Sequence, residues 1–293
     1  GRWLMKQQYR NENLSDQLRV ELARLEYRHL KVGQRVKLSN GVDLGTVWQL
    51  APTEVRGCVI ADSINHPREL TILFRGSSMI PTDPSAWTTE WLDTNLPIGR
   101  ALVANNHQIP EELKLAAHWL DHLLETNPQA RAFVYGHSLG SINAQYAIST
   151  CHFQQQVANA WLYEGSNVYR LLNSAERAAA TQMKANIHQY IDPLDLLAVG
   201  YTDFSHVIGQ LHYVDSMPMP LISQHMWGGY LFDESGKLSL RSAEDPLVQS
   251  LQAITLRLLT SEQITIPAND SQAIVRLRKL MGKAEELREQ IRQ

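Results

Sequence analysis

The chain has 293 residues with 44% hydrophobic and 19% charged residues, a composition that supports a large buried core in one domain or two. A formal net charge of −3 gives no general attraction to nucleic acid. No apolar run approaches the roughly 18 residues of a membrane span, and the first residues carry no signal-peptide pattern. The expectation is a soluble protein, cytoplasmic or exported without a signal peptide. Two cysteines, Cys58 and Cys151, lie far apart without metal-type spacing and read as two buried thiols.

In chain order, residues 14–30 place Leu14, Leu18, Leu22, Leu25 and Tyr27 near helical spacing, which predicts an amphipathic helix. Three strand-like runs follow, Leu44–Leu50, Val55–Ala61 and Leu70–Phe74, the last leading into Arg75-Gly76-Ser77. Residues 77–98, with three prolines, Trp87 and Trp91, read as a long surface loop or broken helix, of the length used for lids. Pro110–Glu125 reads as a helix, with Pro110 and two glutamates at its start and Leu113, Ala116, Leu120 and Leu124 on one face. His118 and His122 share that helix at i, i+4, but no third ligand accompanies them, so no metal is expected.

Gly136-His137-Ser138-Leu139-Gly140 then stands between an apolar run, Ala132–Tyr135, and a helical segment, Ser141–Ile148. Strand, tight turn and helix form the context of a Gly-x-Ser-x-Gly nucleophile elbow, which exposes a serine hydroxyl above a sheet. Beyond it come a strand over Val157–Tyr163, a helix over Ser174–Lys184, and strands over Ala185–Ile191 and Gln210–Val214. Asp245–Leu259 reads as a helix, Thr260–Asp270 as a linker, and 271–293 as a charged helix with apolar residues at heptad spacing. The division expected is a domain over residues 1–240 and a C-terminal helical extension over 241–293. Alternating strands and helices predict an α/β fold with a mostly parallel central sheet and helices on both faces.

A serine hydroxyl attacks at neutral pH only with a base in hydrogen-bond reach and an acid to orient that base. In α/β-hydrolase chains the order is Ser, acid, His. Ser138 is followed by Asp192 and Asp195, both just after a strand, and then by His206, His212 and His225. His225 is the candidate base, because it lies in the loop after the last strand. The residues leave Asp192 and Asp195 open as the acid. Leu139, after the nucleophile, and Ser77, after an earlier strand, are the candidate oxyanion N–H donors.

Several stretches together resemble class 3 lipases and related bacterial lipase-like α/β hydrolases. Leu73-Phe74-Arg75-Gly76-Ser77 is similar to that family's FRGT/S segment, Glu90-Trp91-Leu92-Asp93 to its DWL segment, and residues 136–140 to its GHSLG elbow. Asp195-Leu196-Leu197 resembles the acid segment, and 224–236 the His-containing ending. The chain departs from the family in having Ser141 where a second glycine is usual, and in lacking the proline after the acid. The resemblance implies an α/β-hydrolase fold and a cofactor-free esterase, lipase or phospholipase A acting on acyl lipids, at a membrane or micelle surface. It also implies Ser138, His225 and Asp195 as the triad, with Ser77 at the oxyanion hole. Two alternatives stay open: an acyltransferase using the same residues, and a non-catalytic protein binding a lipid, a protein partner or another copy through the C-terminal helix.

Overall fold

The computed structural model describes residues 8–76, 109–195, 197–198, 200–201, 205–242, 244–246 and 248. Ser77, the predicted loop over 77–98, the linker over 260–270 and the charged helix over 271–293 lie outside the described residues, as does nearly all of the predicted helix over Asp245–Leu259.

Among the described residues, nine strands form a single sheet in which spatial order follows chain order. They are β1 (Arg35–Lys37), β2 (Asp43–Leu50), β3 (Gly57–Ala61), β4 (Glu69–Phe74), β5 (Arg131–His137), β6 (Val157–Tyr163), β7 (Ile187–Ile191), β8 (Gln210–Val214) and β9 (Leu240–Arg241). The centre, β4 to β8, is parallel. The flanks are antiparallel: β1 to β4 on one side, β9 against β8 on the other. The expectation of a parallel sheet therefore holds for the centre, and the whole sheet is mixed. Short connections of the kind between β3 and β4 permit hairpins, whereas parallel neighbours need a crossover long enough for a helix. Two strands went unread in the sequence. Of the three residues of β1 only Val36 is buried, and β9 has two residues, so neither carries a period-two apolar signal.

Helices cover both faces. Helix α2 (Glu111–Glu125), α3 (Leu139–Ser149) and α4 (Ser174–Gln182) pack on one face against Ile72, Phe74, Val134 and Leu162. Helix α1 (Asp16–Arg24) and the segment bearing Trp227, Tyr230 and Leu238 pack on the other, against Ile60, Leu73, Phe133, Tyr135 and Tyr163. Alternate residues along each central strand feed alternate cores, as the pleat requires. The short helix α5 (Leu221–His225) follows β8.

Helix ends follow local chemistry. Ser15 caps α1 by accepting the Leu18 N–H at 3.2 Å, and Asn173 and Glu176 form a capping box on α4. The predicted helix over 14–30 is shorter than its apolar spacing suggested: α1 ends at Arg24 and continues as a 3-10 turn over Leu25–Tyr27. That tighter turn sets Tyr27 against His137. Every residue of α3 is buried, including Asn143 and Gln145, because it lies between the sheet and its neighbours α2 and α4. Cys58 and Cys151 are free, buried thiols, and burial pushes both up to about 12.

Candidate active site

The site is built at the carboxyl ends of β4 to β8, where an open α/β sheet places its loops. Ser138 joins β5 directly to α3, in the left-handed region at φ +59° and ψ −124°. A non-glycine residue held there costs on the order of 1–3 kcal/mol. The Ser138 N–H donates to the Tyr163 carbonyl at 2.9 Å, which anchors the strained residue to β6. The flanking glycines are required by close approach. A Cβ on Gly136 would stand 2.6 Å from the Gly140 carbonyl oxygen, and one on Gly140 would run into the Phe74 carbonyl.

His225 ends α5, and its Nε2 lies 2.8 Å from Ser138 Oγ. Its Nδ1 lies 2.7 Å from Asp195 Oδ2. His225 and Asp195 are both buried, at 4% and 1% exposure, so their interaction is little screened by water. Asp195 Oδ1 also accepts the Leu197 N–H at 3.0 Å. Burial alone would push the Asp195 carboxyl up, but the facing His225 and the hydrogen bonds it accepts outweigh that and hold it below the ordinary value. An ionised Asp195 only accepts, so His225 donates Nδ1–H to it and presents the Nε2 lone pair to the Ser138 hydroxyl. The chain order is serine, acid, histidine, and the serine stands on a strand–turn–helix elbow over a parallel sheet. The fold is of the α/β-hydrolase type.

No family model matches this chain, and neither does any curated protein. Solved fungal structures match at low identity. The MDLA protein of Penicillium cyclopium is 16% identical with TM-score 0.45, over 78% of this chain and 85% of that one. The Rhizomucor miehei lipase in its propeptide complex is 13% identical with TM-score 0.40, over 85% and 80%. The Lip2 lipase of Yarrowia lipolytica is also 13% identical with TM-score 0.40, over 85% and 93%.

Asp192, the other candidate acid, turns away from His225. Its Oδ1 accepts from the Leu194 N–H at 2.9 Å and the Ser216 hydroxyl at 2.7 Å, and its Oδ2 from Gln224 Nε2 at 2.6 Å. Burial pushes its carboxyl up to about 6, against those hydrogen bonds. Gln224 precedes His225, so Asp192 anchors the helix that carries the imidazole. His212 stands on β8 with Nε2 3.2 Å from His188 Nδ1. The His206 carbonyl accepts from Asn167.

Leu139 opens α3, so its N–H has no acceptor within the helix and lies beside the nucleophile. Gly76 brings the chain leading to Ser77 against the same point: a Cβ built on it would lie 3.3 Å from Ser138 Cβ. His118 and His122 are exposed on α2, and no group of His, Cys, Asp and Glu among the described residues is placed to hold a metal ion.

Several residues around the triad escaped the sequence reading. The His137 ring lies 2.6 Å through Nε2 from the His225 carbonyl, which can only accept, so Nε2 carries the proton. Nδ1 then accepts from the Tyr27 hydroxyl at 2.5 Å. Burial, then the nearby His225, pushes His137 well below the ordinary histidine value, so the ring is neutral. Trp227 stacks on it at 3.7 Å between centroids. Glu164 is the third buried carboxyl of the cluster. Only the elbow position of His137 hinted at any of these; Tyr27 and Glu164 lie far from it in sequence.

Proposed function

We propose that this chain is a serine carboxylic-ester hydrolase acting on acyl lipids, of lipase or phospholipase A type. The observation that carries the reading is the continuous chain from Ser138 Oγ to His225 Nε2 at 2.8 Å and from His225 Nδ1 to Asp195 Oδ2 at 2.7 Å. The choice of acyl lipids rests on the resemblance of the FRGS, GHSLG and acid segments to class 3 lipases.

In this mechanism Ser138 Oγ attacks the ester carbonyl as His225 takes its proton. Asp195 holds the imidazole in the required tautomer and stabilises the imidazolium as it forms. The Leu139 N–H and the Ser77 N–H bind the tetrahedral oxyanion, a contribution of about 3–4 kcal/mol per donor in comparable sites. His225 returns the proton to the leaving alcohol, and the carbonyl reforms as an acyl ester on Ser138. Water, activated by the same imidazole, attacks that ester and frees the fatty acid and the serine.

The test is a nitrophenyl acyl ester and a fluorophosphonate probe offered to wild type and Ser138→Ala. Hydrolysis and labelling of the wild type, both lost in the variant with its fold intact, are expected. Turnover retained by Ser138→Ala, or a wild type that neither labels nor turns over, would refute the reading. Mass spectrometry of products from a lipid panel, with and without an added alcohol, then separates hydrolysis from acyl transfer and names the ester bond cut.

A further inference from the structure

Behind Asp195 lies a carboxyl that the proposed reaction does not use. Glu164 follows β6, is 1% exposed, and sits at φ +54°, a left-handed conformation uncommon for a residue other than glycine. Its backbone N–H donates to the Tyr190 carbonyl at 3.0 Å, which ties it across the ends of β6 and β7. Its Oε1 accepts from the Asp192 N–H at 2.8 Å and from the Tyr230 hydroxyl at 2.8 Å. No N–H or O–H of the described residues reaches its buried Oε2. The carboxyl lies beside that of Asp195, close enough for one to donate to the other if it keeps a proton. Two carboxyl groups share a hydrogen bond only when one keeps its proton. Asp195 faces His225 and the Leu197 N–H, both of which favour its ionised form. The proton therefore belongs on Glu164.

We propose that Glu164 is a protonated positioning residue that donates its O–H to Asp195, fixing that carboxylate against His225 as Asp195 fixes His225 against Ser138. The titratable groups around it are consistent with this. Asp195 and Asp192 face it from the turn after β7, Tyr230 from the segment after α5, and Tyr201 lies nearby. Burial, then the charges of Asp195 and Asp192, push Glu164 well above the ordinary carboxyl value. The donated hydrogen bond draws charge from Asp195 and lowers the proton affinity of the Asp195–His225 pair. His225 then stays neutral, and able to accept the Ser138 proton, to lower pH than it would without Glu164.

The role assumes the ester hydrolysis proposed above, and its test separates the two. Glu164→Gln keeps a donor for Asp195 and an acceptor for the Asp192 N–H and Tyr230. Glu164→Met keeps the bulk and has no donor. Turnover of a nitrophenyl ester should be retained in Glu164→Gln, with the acid limb of kcat/KM where it is in wild type. In Glu164→Met kcat should fall, by on the order of tenfold or more, with KM unchanged and the acid limb moved to higher pH. Coincident acid limbs in all three proteins would overturn the proposal. Independently of turnover, urea unfolding reports the proton. The unfolded chain ionises Glu164 near pH 4.3, whereas the native protein keeps it protonated. The folding constant of wild type should therefore fall against that of Glu164→Gln by about tenfold per pH unit above that value. A wild-type to Glu164→Gln difference flat with pH would also overturn it. That measurement stands whether or not Ser138→Ala abolishes turnover, so failure of the hydrolase reading and failure of the Glu164 role give different results.

Discussion

Replacing Asp195 by Asn should cost activity far out of proportion to stability, and replacing Asp192 by Asn should do the reverse. In Asp195→Asn the side-chain oxygen remains on the Leu197 N–H, at 3.0 Å in the native structure. The amide nitrogen is then turned toward His225 Nδ1, which lies 2.7 Å from the native oxygen. An amide nitrogen only donates, so His225 must place its own proton on Nε2, facing Ser138, and it can no longer accept the serine proton. The loss of this tautomer in a serine triad is worth about 10⁴ in kcat, or ~5.4 kcal/mol of transition-state stabilisation. In Asp192→Asn, Oδ1 can keep Leu194 and Ser216, but the new amide meets Gln224 Nε2. Gln224 cannot simply flip, because its Oε1 accepts the Met219 N–H at 2.7 Å. One hydrogen bond to a charged acceptor is lost, about 1.5–3 kcal/mol of stability, while kcat stays within about tenfold because the base keeps its tautomer. Steady-state hydrolysis of a nitrophenyl ester, with urea unfolding of each variant, reads both quantities. Equal losses of kcat in the two variants, or an Asp195→Asn variant within tenfold of wild type, would refute the assignment of Asp195 as orienting acid.

Two further outcomes are expected. Tyr27→Phe leaves His137 Nδ1 buried without a donor and should lose about 1–3 kcal/mol in urea unfolding, an effect absent if His137 held its place by packing alone. Asp192, pushed up to about 6 by burial, stays protonated in the native state after the unfolded chain has ionised. Its contribution to stability is thus complete below the ordinary carboxylate value, about 3.9, and is lost as pH rises toward 6. Wild type should therefore lose up to ~3 kcal/mol relative to Asp192→Asn across that window, and parallel stability curves would show the shift to be absent.

The elbow was the most legible part of the chain. Gly136 and Gly140 stand where any side chain would strike backbone, and a strand and a helix bracket them at the spacing a tight turn needs. Amphipathic spacing likewise marked α2, which buries one face, and a continuous apolar run marked β6, which is buried on nearly its whole length. Local chemistry of this kind is written in neighbouring residues, so a sequence displays it. The order of Ser138, two aspartates and His225 was also visible, and it narrowed the acid to a pair.

The residues alone left that pair open, the family resemblance implied Asp195, and the contacts that tell the two apart exist only in three dimensions. Asp192 and Asp195 share one turn, and only the path of the chain from β8 into α5 sets His225 over one and Gln224 over the other. The same holds for Glu164, Tyr27 and His137. Each forms hydrogen bonds with residues 28 to 110 positions away, partners that no periodicity can announce. Composition, spacing and turn chemistry determined by themselves that the chain would build an α/β sheet with a serine at a strand end. Tertiary packing decided which buried carboxyl faces the imidazole, because the proton affinity of such a group depends on every neighbour that folding brings to it.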